Sequence, residues 1–286
     1  MSTVRLVWDV GAQLGEGPIW VAEEAALRFV DIKSGALHRY DPATGTCETA
    51  LVGGAPSFIV PRQGGGFLIG TQHHIAALVN NSLAPPVVTL DHPAHNRTND
   101  ATVDCHGRLW FGTMDDHETQ PTGQFYCLDG GTLHALGGHA IVTNGPALSA
   151  DGQWLYQVDS ASKTIWRSEI IAGPRLVNRA LFVQLGSGDG HPDGVVLDSE
   201  DCLWVALWDG WGVRRYAPDG TLLEHIDLPC ARVTKIAFGG DDLRTAYVTT
   251  ARTGLSQAEL VRQPLAGGLF AFEVAVPGRI LPAVAL

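Results

Sequence analysis

The chain has 286 residues, 45% of them hydrophobic, and 30 acidic against 19 basic side chains give a formal net charge of −11. That much apolar material supports a large core, while the acidic balance argues against nucleic acid or an anionic membrane as partner and for a small neutral molecule or a metal ion. The N-terminus enters a strand pattern without a long apolar stretch, so neither a signal peptide nor a membrane span is expected and the expected location is cytoplasmic.

Residues 3–10 alternate as a strand with no hairpin partner beside it. A hairpin follows, Gly17 to Val21 with Leu27 to Asp31, then a strand Gly35 to Tyr40 ended by the turn Asp41-Pro42-Ala43-Thr44-Gly45. The second copy is the weakest: its turn Gln63-Gly64-Gly65-Gly66 and strand Phe67 to Thr71 are clear, and Pro85-Pro86 is expected to stop its outer strand. The third contains the most polar run of the chain, His95 to Asp104, and after its second strand the loop Gly112-Thr113-Met114-Asp115-Asp116-His117-Glu118.

Asn144 to Asp159 is the plainest copy, a polar head, a short apolar run, an Asp151-Gly152 turn and an alternating strand. The fifth repeats it through His191 to Asp198 and Cys202-Leu203-Trp204, after the glycine-dense loop Gly186-Ser187-Gly188-Asp189-Gly190. The sixth supplies Lys235 to Phe238, Arg244 to Thr250 and Leu269 to Val276. Between the last two, Ser256 and Glu259 have capping-box spacing, which predicts one short helix.

Aligned on the ends of their second strands (Asp31, Thr71, Thr113, Asp159, Leu207 and Thr250), the copies recur at steps of 40, 42, 46, 48 and 43 residues. This period, with several short strands per repeat, predicts an all-β fold, a six-bladed β-propeller with four strands per blade in a single domain over residues 1–286. The last blade is one strand short, and the N-terminal strand is expected to complete it, closing the ring without exposed edges.

Equivalent positions in the repeats occupy equivalent places around the axis. Counting back 14 or 15 residues from each strand end gives Glu16, then Pro56 or Ser57, Asn99, Asn144, Asp193, and Lys235 or Ile236. If these heads face the channel, Glu16, Asn144 and Asp193 bring two carboxylates and an amide oxygen to one point, a hard-oxygen set suited to one divalent cation among Fe²⁺, Ca²⁺, Zn²⁺, Mn²⁺ and Mg²⁺. Singly, each reads equally well as a cap on a strand or turn; three at one repeat phase favour the metal. Lys235 is left out of the site, because Ile236 competes for the same phase.

The motifs Leu14-Gly15-Glu16-Gly17-Pro18, Arg97-Thr98-Asn99-Asp100, Gly112-Thr113-Met114, Thr143-Asn144-Gly145 and Pro192-Asp193-Gly194 together resemble the senescence-marker protein/regucalcin/gluconolactonase family over nearly the whole chain. Asn99-Asp100-Ala101-Thr102-Val103-Asp104 and Thr249-Thr250-Ala251-Arg252 are most similar to bacterial sugar-acid lactonases of the xylonolactonase type. The resemblance implies that Glu16, Asn144 and Asp193 bind a catalytic metal and that Arg97 and Asn99 contact a sugar lactone. It also implies an acidic contact from the loop after Gly-Thr-Met. The aligned position there is His117, flanked by Asp116 and Glu118, and Glu118 is taken as the substrate-binding residue. Asp193 has two roles open, metal ligand alone or also the base that takes a proton from water.

Other residues carry alternatives. Arg97 reads as a substrate contact or as a partner of Asp100 or Asp104; His191 is the best acid/base candidate or a solvated loop histidine. Trp208 and Trp211 either wall a sugar pocket or pack between sheets. His73, His74, His92, His95 and His106 show no ligand spacing. Five scattered cysteines without a Cys-x-x-Cys pair read as reduced, buried thiols. There is no Gly-x-Ser-x-Gly elbow before a helix and no phosphate loop. The leading expectation is metal-dependent hydrolysis of an aldonolactone (xylono-, arabinono-, galactono- or gluconolactone); the alternative is a non-catalytic propeller that binds calcium or a sugar.

Overall fold

The structure is a computed structural model, and it describes residues 3–286. Six four-stranded antiparallel sheets form a six-bladed β-propeller. Blade one is β2 (Gly15–Val21), β3 (Ala26–Asp31), β4 (Ala36–Asp41) and β5 (Thr46–Leu51), and blade two is β6 (Phe58–Pro61), β7 (Phe67–Gly70), β8 (His74–Val79) and β9 (Ser82–Thr89). Blade three is β10 (Asn96–Val103) to β13 (Thr132–Ala140), blade four β14 (Thr143–Leu148) to β17 (Arg175–Gln184), and blade five β18 (His191–Leu197) to β21 (Leu222–Asp227). In blade six, β22 (Val233–Gly239), β23 (Thr245–Thr250) and β24 (Leu269–Glu273) are joined by β1 (Arg5–Trp8), which pairs antiparallel with β24. The ring closes through its N-terminal strand, as the short sixth repeat requires.

The helix also forms: α1 (Gln257–Arg262) has Ser256 at its N-cap and a complete capping box with Glu259. The outer strand of blade two differs from expectation. β9 runs through Pro85 and Pro86 instead of ending there. It is the edge strand of its sheet, and its pairing with β8 is irregular around Ala76 and Pro86, so the missing N–H groups interrupt a ladder that is already broken.

The core lies between blades. Ile19 and Val30 of blade one pack with Ile59 and Ile69 of blade two, and Trp204 and Val213 of blade five pack with Phe238, Val248 and Phe270 of blade six. Two buried aspartates hold their hairpins in the same way. Asp104 accepts from the amides of His106 and Arg108, the Arg108 guanidinium and the Trp110 indole; Asp198 accepts from the amides of Glu200 and Cys202, the Trp204 indole and Arg215.

What positions the site is a defect repeated around the axis. The pairing of the innermost strand with its neighbour shifts register between Glu16 and Ile19, Thr98 and Ala101, Asn144 and Ala147, Pro192 and Val195, and Val233 and Lys235. A bulge bends the strand and re-aims the side chains beside it. Blade two has no such shift between β6 and β7, and it is the blade whose channel position offers only Ser57. Gly145 sits in its bulge at a φ of 68°, which a side chain would resist. A Cβ on Gly194 would lie 2.6 Å from the Cβ of Lys235, so the inner strands of blades five and six approach only because that side chain is absent.

The C-terminal segment crosses the far end of the channel. Val284 donates to Pro61 O and accepts from Gln63, Ala285 donates to Gly107 O, and Arg279 pairs with Asp201 at 2.5 Å. Residues 279–282 thereby close a mostly apolar cavity of about 170 Å³ at the ends of the inner strands remote from their polar heads.

Candidate active site

The polar heads open into a cavity of about 610 Å³. Its lining includes Glu16, Arg97, Asn99, Glu118, Asn144 and Asp193, six residues that the sequence singles out, together with His191 and Trp208. Glu16 and Asp193 are 5% exposed and Asn144 is 3% exposed. Trp211 is not among the lining residues; it stands half in solvent.

A chain of hydrogen bonds sets the direction of each amide. Arg97 Nη1 donates to Asn99 Oδ1 at 2.5 Å and to Thr98 O at 3.0 Å. Asn99 Nδ2 donates to Thr143 O at 2.6 Å and to Asn144 Oδ1 at 3.0 Å, which uses both of its hydrogens. Asn144 Nδ2 donates to Ser160 Oγ at 3.0 Å, and the carbonyl of Ser160 faces Nδ1 of His191 at 2.9 Å. Asn144 is therefore held by a donor on one side and an acceptor on the other, with a lone pair of Oδ1 left over.

Arg97 pairs with neither Asp100 nor Asp104. Its Nε donates to Asp116 Oδ1 at 2.6 Å, while Asp104 is taken by Arg108 at 2.6 Å. Asp116 also receives Lys33 Nζ at 2.8 and 3.0 Å, a contact across 83 residues. Although burial opposes it, Lys33 and Arg97 hold the Asp116 carboxyl below its ordinary value. The loop that presents it is pinned by Asp115, which accepts from the amides of His117, Thr119 and Gln120. His117 stacks against His95 with centroids 6.3 Å apart, so the neighbours that line the cavity are Asp116 and Glu118.

Lys235 proves to be a channel residue, because the bulge between Val233 and Lys235 turns it inward. Its Nζ forms a close ion pair with Asp100 and lies 3.3 Å from Ala101 O; both side chains are buried. The inner strands contact one another in chain order around the ring, so blades three and six face each other and this pair spans the axis. Nothing in the sequence locates a one-residue bulge, so the repeat phase alone does not choose between Lys235 and Ile236.

These charges act on the acids above them. Burial, then the charge of Asp100, pushes Glu16 up to about 8, against the opposing pull of Lys235, the Gly17 amide and Arg97. Burial, then Glu16, Asp100 and Glu118, raises Asp193 well above the carboxylate range. Two buried carboxylates and an oriented amide oxygen line this one cavity, and a divalent ion with oxygen ligands fits that donor set. Among the described residues no three His, Cys, Asp or Glu side chains gather as a metal-binding group; the set here depends on an amide. Away from the cavity, Nδ1 of His73 and Nε2 of His92 meet at 3.0 Å.

At the mouth stand residues that the sequence did not mark: Lys33, Asp209 and Arg232. Arg232 donates to Asp209 at 2.9 Å and to Thr253 O, and its guanidinium lies 4.8 Å from the centroid of Trp208. No helix among the described residues is long and apolar enough to cross a membrane.

The chain is 35% identical to a 6-deoxy-6-sulfogluconolactonase of Pseudomonas putida, over 97% of each chain, and 33% identical to the pentonolactonase XacC of Haloferax volcanii, over 97% of this chain and 96% of that one. The crystal structure of a calcium-binding protein, regucalcin, from Agrobacterium tumefaciens superposes with a TM-score of 0.94 at 25% identity, covering 100% of this chain and 98% of the other. Residues 14–252 match the family described as the SMP-30/Gluconolactonase/LRE-like region, and the chain belongs to that family.

Proposed function

We propose that the protein is a lactonase that hydrolyses a five- or six-carbon aldonolactone, such as xylono-, arabinono-, galactono- or gluconolactone, to the open aldonic acid, with one divalent cation held by Glu16, Asn144 and Asp193. The observation that carries this is one cavity lined by two buried carboxylates, an amide held from both sides and a guanidinium. The names of the two lactonase relatives support the reaction, and the regucalcin neighbour described as calcium-binding supports the cation. A volume of about 610 Å³ falls in the range of small-molecule sites, ~300–1,000 Å³.

A bound dication supplies Lewis acidity toward the lactone carbonyl and charge for the oxyanion. With a cation offsetting both its burial and the charge of Glu16, Asp193 would be ionised and its carboxylate would accept the proton of the attacking water. Arg97 has Nε and Nη1 committed to Asp116, Thr98 and Asn99, so Nη2 is the edge it offers to ring hydroxyls. Asn99, with both hydrogens spent, holds Asn144 in place and turns only an acceptor toward the substrate. Glu118 accepts from a hydroxyl at the mouth.

Turnover and metal content measured together on Asp193→Asn test the assignment. Loss of a general base costs ~10²–10⁴ in rate; full metal content with undiminished turnover excludes the base role. A panel of lactones followed by acid release, with and without chelator, tests the reaction itself. No acceleration of any lactone after metal is restored would favour a non-catalytic calcium- or sugar-binding propeller.

A further inference from the structure

The role of His191 follows from what holds its ring. The residue opens β18, so its backbone belongs to the sheet of blade five and not to the glycine-dense loop before it. Its Nδ1 lies 2.9 Å from the carbonyl oxygen of Ser160, and because a carbonyl only accepts, Nδ1 carries a hydrogen and donates it. Ser160 is buried, and its hydroxyl accepts from Asn144 Nδ2 at 3.0 Å. One residue thus orients both the amide of blade four and the imidazole of blade five. The ring lines the cavity, and with Nδ1 committed, Nε2 is the nitrogen that it offers to a ligand there.

The ring also has an aromatic neighbour. In the register of β18 with β19 (Leu203–Trp208), His191 stands directly opposite Trp208, which puts the two side chains next to each other on one surface of the sheet. Trp208 lines the same cavity. A hydrogen-bonding edge beside an aromatic face suits a sugar, whose hydroxyls need polar partners and whose C–H groups do not. The inner strands of blades three and five both pack against that of blade four, so Asn144 is flanked by Arg97 with Nη2 uncommitted on one side and by His191 on the other.

We propose that His191 reads a hydroxyl of the substrate through Nε2, on the blade-five side of Asn144, and that the Ser160 carbonyl sets the angle of the ring. The inference rests on the lactonase reading and adds a residue that determines its specificity. The contact is to a hydroxyl and not to the ester, so its loss is felt in KM more than in kcat.

The test uses two variants that each keep half of the imidazole's reach. Asparagine holds its amide where Nδ1 stood and can still donate to the Ser160 carbonyl, whereas glutamine carries its amide on to where Nε2 stood. Kinetics are measured with D-glucono-1,5-lactone and with its 2-, 3-, 4- and 6-deoxy counterparts. In His191→Asn, kcat/KM for the parent lactone is expected to fall roughly threefold to tenfold, the scale of a lost hydrogen bond, and mostly through KM. For the deoxy lactone that lacks the hydroxyl read by His191 the fall is expected to vanish, because nothing remains there to lose. His191→Gln is expected to lose less than His191→Asn; a ring held only for structure gives the reverse order. Undiminished kcat/KM in His191→Asn, or a fall of equal size for the parent and every deoxy lactone, overturns the proposal. If that variant does not fold, His191→Ala takes its place with the same two outcomes. If the unaltered protein turns over none of these lactones, the enzymatic reading falls separately. Calorimetric binding of D-gluconolactam, which is not hydrolysed, then decides the contact: weaker binding by His191→Asn upholds it and equal binding overturns it.

Discussion

Replacing Lys235 with methionine removes one half of an ion pair that crosses the propeller axis beneath the candidate site. The aliphatic stem is kept, but Asp100, 2% exposed, loses its ammonium partner and its remaining neighbours include Glu16 and Asp193. Breaking a buried pair from one side costs ~3–5 kcal/mol, because the charge left behind has no compensation. With an unfolding entropy of about 2.1 cal/mol/K per residue, a chain of 286 residues converts that loss into a fall of about 5–8 °C in Tm. Neutralising both partners, Lys235→Met with Asp100→Asn, is expected to recover most of the loss. Calorimetry or denaturant midpoints on the two single variants and the double variant give the coupling. A single substitution costing under about 1 kcal/mol, or a double variant as unstable as the sum of the singles, would refute the claim that these groups form one buried ionic unit.

Glu16 has a folded-state pKa of about 8, above its value in the unfolded chain, so the stability it allows is fully present below about 4.5 and is lost as pH rises through about 8. Metal-free protein is therefore expected to lose thermal stability from mildly acidic pH to pH 8, and an excess of divalent cation to abolish that slope; a metal-free Tm that rises across this window would contradict the electrostatics described. Cys47 and Cys105 are exposed, whereas burial pushes Cys127 and Cys230 up to about 12, so native protein is expected to label with a thiol reagent only at the first two, checked by peptide mass. Asp104→Ala strips the acceptor from the Arg108 guanidinium, the Trp110 indole and two amides and is expected to cost ~3–5 kcal/mol by urea denaturation, with little effect on metal content because it lies outside the cavity lining.

The architecture was legible because a propeller repeats its signal. The polar head, the turn and the strand end recur six times at a nearly constant step, and the same phase that aligns the strands also selects Glu16, Asn144 and Asp193 as residues lining one cavity. The mouth was not legible, for a physical reason: its charges come from loops whose partners are remote in the chain. Nothing in the sequence around Lys33 says that Asp116, 83 residues on, will accept its ammonium, or that Arg232 will lie over Trp208. Local bulges hid two further features. A shift beside Lys235 turned an ambiguous position inward, and irregular pairing around Pro86 let a proline pair remain within a strand.

The proposed reaction requires one cation held by oxygens from three blades. The direct measurement strips the protein of metal, then titrates a divalent cation back while acid release from gluconolactone and bound metal are followed together. Activity that is absent at the start, rises in proportion to bound ion and levels at one equivalent is the predicted result. Full turnover by the stripped protein, or metal that binds equally well to Glu16→Gln and Asp193→Asn, would contradict it.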